Sequence, residues 1–390
     1  MSRARRSGAT FGLLFGLLAL ACSSESLEAD EPGAGQENRP AQVAAALLPE
    51  SAGLIALYDA PDRWSATALA FNPLVPGELW TTLRQFPQDA PCTQSVRTGC
   101  AALEGQVAIL TGADTAAPSA VLKKDYNAWH FMRRPTGIAF GDNGNLATCS
   151  EARTGNFDDD VVDYNGPVLW SSDPAIFGVR PVGDQNGTHL DMLHSTPFCM
   201  GIAHEVENVY WTFNGQLGAL DRYDFNEPHE IGGEDHTDGE LLRYLEGELR
   251  RTPEVPSQLV LDRAKGFLYA ADTGNARVVR LDITTGQPGA NVPEYDGMPV
   301  HRRMDGAELT VLVADGALTL PSGLALHDDV LLVTDNASGR IHAFDMAGQE
   351  LRSFDTGLGA NALSGIAVGP DGVVYLSALS TGQVFRVEAP

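Results

Sequence analysis

Positive charge is scarce in this chain. Of its 390 residues, 26 are Lys or Arg against 51 Asp or Glu, a formal net charge of -25. Three of those bases, Arg3, Arg5 and Arg6, stand at the extreme N-terminus, so the remainder is more acidic still. Such a surface repels phosphodiesters and anionic headgroups, which argues against nucleic acid as a partner and against membrane binding through the folded domain. Cysteine is nearly as scarce. There are five, with no Cys-x-x-Cys, so neither a thiol redox pair nor a cysteine metal knuckle is expected. No apolar run is long enough to cross a bilayer as a stable helix. A nucleophile elbow, a phosphate-binding loop and a dinucleotide fingerprint are all missing.

What is present is repetition. Pro321-Ser-Gly-Leu-Ala-Leu-His327, then Val330-Leu-Leu-Val-Thr-Asp335, then Gly339-Arg-Ile-His-Ala-Phe-Asp345 is echoed by Leu363-Ser-Gly-Ile-Ala-Val-Gly369, Val373-Val-Tyr-Leu-Ser377 and Gly382-Gln-Val-Phe-Arg-Val387. Short β-branched runs separated by Asp, Gly and Pro read as strands joined by tight turns. A period of about 40 residues with several strands per copy reads as a propeller blade. The innermost strand, a, recurs at Thr67–Phe71, Thr136–Phe140, Met200–His204 and Ser257–Leu261. The second strand, b, recurs at Leu79–Thr82, Leu146–Cys149, Val209–Phe213 and Leu268–Asp272. The third, c, recurs at Gln106–Leu110, Pro167–Trp170, Ala219–Tyr223 and Arg277–Leu281. The expected fold is therefore an all-β, six-bladed propeller over 51–390. Its last unit ends at strand c, and Gly53–Asp59 precedes the first unit, so that N-terminal strand is expected to close the ring against Gln383–Glu388 and remove an exposed edge.

Leu268-Tyr-Ala-Ala-Asp-Thr-Gly-Asn-Ala-Arg-Val278 and Pro321-Ser-Gly-Leu-Ala325 resemble the NHL-repeat family of β-propellers, over about residues 53–390. The resemblance implies either a binding scaffold or, in fewer relatives, an enzyme of the amidating-lyase or gluconolactonase-like type. Where the lyases carry zinc-binding histidines this chain has Thr136, Ser257 and Ser322, so that zinc triad is absent. A gluconolactonase-like Ca²⁺ site would draw acids from several blades, with Asp272 and Asp335 of suitable type. Asp ahead of Thr-Gly-Asn or Asn-Ala-Ser-Gly also serves as a turn-fixing residue.

The first 22 residues read as an export signal: a basic start, an apolar core Thr10–Ala21, then Leu18-Ala-Leu-Ala-Cys22. The ending is similar to a bacterial lipobox, with Cys22 the lipidated residue, although Ala19 stands where Leu is usual; an ordinary cleaved signal is the other reading. Ser23 after it points to the outer membrane, on the periplasmic or the surface side. Residues 23–50 are acidic and rich in Pro, Gly and Gln, the composition of a solvated, disordered tether. In an exported protein the remaining four cysteines are expected to pair, Cys92 with Cys100 inside one loop and Cys149 with Cys199 between blades at one rim.

Two constellations stand out for chemistry. If strand a descends from the top face, the d–a and b–c loops share the top, and the mouth there gathers Arg134, Glu151, His194, Asp272 and Asp335, with the acidic loop Asp158–Asp163 nearby. On the bottom, the third unit's c–d loop (224–239) carries His229, Glu234, Asp235 and His236, and His204 ends strand a of the same unit. Three histidines with acids alongside fit a divalent metal, zinc or calcium; the same residues also build an ordinary solvated turn. The expectation is an exported, lipid-anchored, monomeric module that binds a protein or small-molecule ligand, touching membrane through its lipid alone. The competing class is a metal-dependent hydrolase or lyase with its site in the channel mouth.

Overall fold

The computed structural model describes residues 39–85, 104–155, 164–179, 186–314 and 316–389. Cys22 and the segment expected as an export signal, residues 23–38, Cys92, Cys100 and the loop Asp158–Asp163 lie outside the described residues. Six sheets, one per repeat and antiparallel except for one added strand pair in the third, make up the fold. Blade 1 runs from Trp64 to Lys123, blade 2 from Pro135 to Met192 and blade 3 from Cys199 to Tyr244. Blade 4 spans Leu259 to Val313, blade 5 Pro321 to Asp355, and blade 6 begins at Leu363. This is a six-bladed β-propeller. Blade 6 supplies only three of its strands from the C-terminus; the fourth is Gly53–Asp59, antiparallel to Gln383–Glu388 as expected, with Gly53 opposite Glu388, Asp59 opposite Gln383 and a bulge between Ala56 and Tyr58.

The small-residue motif that opens each strand a has a packing cause. A Cβ on Gly201 would collide with the Ser257 carbonyl, and one on Gly365 would sit 2.9 Å from the Ala68 Cα, because neighbouring a strands converge on the axis. Where a Ser or Thr precedes that Gly, as in blades 2, 5 and 6, its hydroxyl ties one blade to another. Thr136 Oγ1 donates to the Cys199 carbonyl at 2.6 Å, Ser322 Oγ to the Pro256 carbonyl at 2.8 Å and Ser364 Oγ to the Thr67 carbonyl at 2.5 Å. Farther out, aromatic side chains fill the wedges: Trp80 packs edge-to-face on Phe140 and Phe177, and Phe177 on Trp170. Each such ring removes 150–250 Å² from water, on the order of several kcal/mol per ring. Cys149 and Cys199 form the expected disulfide, their Cα atoms 5.3 Å apart, linking the end of strand b in blade 2 to the start of strand a in blade 3.

Two elements depart from the sequence reading. Arg39–Leu47 is a helix, not tether, and buries Ala44, Leu47 and Leu48 on the cluster shared by blades 5 and 6. The tether expected over 23–50 therefore cannot extend past 38. Charge-poor Val43-Ala-Ala-Ala-Leu-Leu48 repeats its apolar residues at helical spacing, and that outweighs the polar composition around it. Arg39 reaches Asp328 in an a–b turn, so the described chain begins on the bottom face. The second departure is in blade 4, whose c–d connection makes a hairpin, Gln287–Asn291 with Val300–Asp305. Its second strand runs parallel to Glu240–Tyr244 and extends blade 3 to six strands. Polar, mostly exposed residues such as His301-Arg-Arg303 gave no strand signal.

Candidate functional site

The channel comes first, because propeller enzymes could place their chemistry there. A void of about 60 Å³ within it is lined by Leu69, Ile138, Ile202, Leu324 and Ile366 from the a strands and by Gln258. Apart from the Gln258 amide, its side chains offer a cation no ligand. Asp272 and Asp335 do not project into it as a ligand set. Asp272 accepts from the Arg250 N–H at 2.7 Å and from Asn275 and Arg277, and Asp335 accepts from the N–H groups of Thr319, Leu320 and Ala337. Both hold loops, as the turn-fixing reading allowed.

At the top mouth, Arg134 and Glu151 do come together, inside a larger network. The Glu151 carboxylate is 2% exposed and receives Arg84 at 3.1 Å, Arg134 at 2.9 Å and Arg251 at 2.7 Å, from strand b of blade 1, the start of blade 2 and the loop that follows blade 3. The Glu254 N–H completes it at 3.0 Å. Burial pushes the Arg84 pKa below its usual value, and the Glu151 charge opposes that shift. Glu254 reaches back into the network: its carboxylate contacts Arg134 and lies 3.5 Å from Arg84, and its carbonyl also accepts from Arg84. It does so from a left-handed backbone, φ 72°. Unlike Glu151, the Glu254 side chain is 52% exposed. It stands at a cavity of about 610 Å³ whose wall includes Arg84, Val255, Asn336, Leu379 and Ser380. Three guanidiniums thus face two carboxylates, one buried and one in contact with solvent.

His194, expected at that mouth, is elsewhere. Its Nδ1 bonds Asp296 Oδ1 at 2.6 Å and its N–H donates to Asp296 Oδ2 at 2.8 Å, so the blade 4 hairpin holds it. Its ring centroid is 6.4 Å from that of His236.

The third-unit loop brings together a set of histidines that differs by one from the expected set. One ring nitrogen from each of His189, His229 and His236 lies within 4.8 Å of the others. His204 is not among them. Its Nε2 donates to the Glu207 carbonyl at 2.8 Å and Arg263 bonds its Nδ1, at the wall of a bottom-face cavity of about 600 Å³. An a–b turn and a c–d loop share a face but sit at different radii, which is why His204 and the loop fail to meet. Asp235 binds its own turn through Thr237, and Glu234 is an exposed residue outside the cluster. His189 opens strand d of blade 2 (His189–Met192), where His189 and Asp191, two apart and both buried, lie on the same side of the strand. Asp191 Oδ1 takes His236 Nδ1 at 2.7 Å. Burial, reinforced by His229 and His236, pushes the His189 pKa down to about 2, so it stays neutral at ordinary pH. Burial disfavours charge on His236 too, but the Asp191 carboxylate prevails and the net shift is upward.

No family model matches the chain, and no curated protein matches it. Solved structures do. An auxiliary nutrient binding protein from Bacteroides thetaiotaomicron aligns with a TM-score of 0.51 at 10% identity, over 83% of this chain and 69% of that one. Streptogramin B lyase gives 0.47 at 12%, over 87% and 98%, and the calcium-binding protein regucalcin from Agrobacterium tumefaciens gives 0.48 at 12%, over 86% and 92%. At such identities the likeness shows a propeller fold and nothing of the site.

Sequence reasoning missed Arg84, Arg251, Glu254, His189 and Asp191. The last two had a signal, because Thr188-His-Leu-Asp191 places an imidazole and a carboxylate two apart, on one side of a strand. The other three had none, since nothing local marks an arginine that meets its partner across three blades.

Proposed function

We propose that this protein is an exported, lipid-anchored propeller of the NHL kind that acts as a binding module, and that its ligand presents a carboxylate to the top mouth. The observation that carries this reading is Glu254. A half-exposed carboxylate, swung in on a left-handed backbone, occupies Arg84 and Arg134 beside a cavity with apolar wall residues, as a ligand's own carboxylate would. Arginine is suited to that role because its planar fork matches a carboxylate in two bonds. When Glu254 swings away, Arg84, Arg134 and Arg251 keep only Glu151, and a second anion is favoured in its place. A channel void lined by no carboxylate and no imidazole speaks against a channel-centred metal hydrolase and favours the mouth as the place for recognition.

Calorimetric titration with hexanoate, and with hexanol as the neutral control, tests the mouth. Glu254→Gln removes the internal competitor and is expected to bind hexanoate at least about tenfold more tightly than the native chain, a difference of about 1.4 kcal/mol. Hexanol is expected not to respond to the substitution. Equal hexanoate affinity in both proteins, or no binding to either at tens of millimolar, would refute the carboxylate reading.

The anchor rests on the basic start, the short apolar core and Cys22, and the outer membrane on Ser23. Cys22→Ala is expected to move the protein from the outer-membrane fraction to the soluble exported fraction. Unchanged membrane association in that variant would count against lipidation.

A further inference from the structure

We propose that His189, His229 and His236 bind one divalent transition-metal ion of the imidazole-preferring kind, with Zn²⁺ the first candidate, where strand d of blade 2 meets the c–d loop of blade 3. This site is separate from the mouth and does not depend on how the mouth is used.

The decisive residue is His189. It is 0% exposed, and among the described residues neither of its ring nitrogens makes a hydrogen bond of ordinary geometry, although the Asn186 backbone lies close to the ring. Leaving a buried polar group unpaired costs about 1–3 kcal/mol, and folded proteins rarely tolerate it without a reason. Here the ring is held in place and turned toward two more imidazoles. Phe131 stacks on it with centroids 3.9 Å apart, and the His229 ring stands edge-on to it at 4.9 Å. Aromatic packing alone would explain the proximity, but it would leave both His189 nitrogens stranded. A metal accounts for the proximity and takes one of these nitrogens, and the Asn186 backbone lies within reach of the other.

The tautomers of the other two rings fit the same role. His229 Nδ1 is 2.6 Å from the Glu230 carbonyl, an acceptor, so Nδ1 carries the proton and Nε2 keeps a lone pair. That Nε2 is buried and without a partner among the described residues. His236 Nδ1 donates to the Asp191 carboxylate, which frees its Nε2 in turn. A ligand histidine whose far N–H is fixed by a carbonyl or a carboxylate is the usual arrangement around zinc, and it also sharpens the ring's donor strength.

The backbone holds the loop against the strand: the Gly232 N–H donates to the His189 carbonyl at 2.9 Å, and the Asn186 N–H to the Gly232 carbonyl at 3.4 Å. Tetrahedral ligation at about 2.0–2.1 Å sets ligand nitrogens about 3.3 Å apart. Loading therefore closes the 4.8 Å set by up to about 1.5 Å, a movement the part-exposed His229 and His236 can supply by ring rotation. Three neutral imidazoles suit Zn²⁺ and its neighbours, whereas Ca²⁺ and Mg²⁺ take oxygen ligands. Three protein ligands leave a fourth position for water.

The test uses the full chain, stripped with chelator, equilibrated with Zn²⁺ and dialysed before metal analysis. One equivalent is expected in the native chain. His229→Asn and His189→Leu are expected to weaken Zn²⁺ binding at least about 100-fold, and Asp191→Asn about 10–100-fold, as loss of an outer partner does. His204→Ala, lying outside the cluster, is expected to keep its full equivalent. His229 sits on a part-exposed loop, so His229→Asn should fold even if His189→Leu does not. Substitution by Co²⁺ gives a second reading: a tetrahedral visible absorption in the native chain that His229→Asn abolishes. A native chain without stoichiometric zinc, or zinc retained in His229→Asn, would overturn the site.

Discussion

Replacing Glu151 by Ala is expected to destabilise the propeller by about 3–5 kcal/mol, the usual cost of removing one partner from a buried ion pair. The side chain is 2% exposed, and it neutralises Arg84, whose own side chain is 5% exposed, together with the more accessible Arg134 and Arg251. Deleting it strands a buried guanidinium in a low dielectric and leaves the Glu254 N–H without its acceptor. Glu254 cannot replace it, because its carboxylate approaches from the solvent side and already contacts the same two arginines. Glu151→Gln keeps an acceptor and should lose less. Denaturant unfolding of the three proteins measures the difference, and a loss below about 1 kcal/mol for Glu151→Ala would mean that the network contributes little. The three guanidiniums come from blade 1, the start of blade 2 and the loop between blades 3 and 4, so the same substitution should also loosen the mouth.

Removal of the Cys149–Cys199 disulfide is the second large effect. The sequence separation is 50 residues, and closing a loop of that size restricts the unfolded chain by about 4 kcal/mol in the chain-entropy account. Both residues are buried, so the double variant Cys149→Ala, Cys199→Ala keeps the site apolar. The expected result is a loss of about 4 kcal/mol relative to the oxidised native chain. Native chain treated with reductant should move towards the variant. If oxidised, reduced and doubly substituted proteins all unfold at the same denaturant concentration, blades 2 and 3 are held by packing alone. Those two blades also share the histidine cluster. Zinc binding in the double variant therefore shows whether the covalent link and the metal site stabilise the same joint.

The sequence alone determined the ring. Strand a reads Ser/Thr-Gly-Ile/Leu-Ala in several copies because convergence on an axis requires a missing Cβ at Gly201 and Gly365 and a hydroxyl that caps a neighbour's carbonyl. Such constraints repeat with every blade, so they recur in the text of the chain. Ring closure by Gly53–Asp59 was legible for the same reason, since a unit lacking its outer strand and a strand lacking a unit complete each other. The Cys149–Cys199 pairing followed from where strands b and a begin and end. The helix Arg39–Leu47 was marked only by the short apolar run at its end, and the blade 4 hairpin by nothing. The helix depends on an apolar surface offered by blades 5 and 6, and the hairpin's polar strands gain their place by pairing with blade 3.

The candidate sites divide along the same line. His229 and His236 could be singled out as a pair in one loop. That His189 and not His204 completes them was decided by radius: strand d of blade 2 lies beside the next blade's c–d loop, whereas strand a lies on the channel. Arg134 and Glu151 were legible as mouth residues, but their partners Arg84 and Arg251 come from other blades and carry no local mark. Periodic backbone constraints repeat along a chain and can be read from it. A site assembled once, from side chains on three blades, has no second copy to reveal it, and only the closed ring brings its members together.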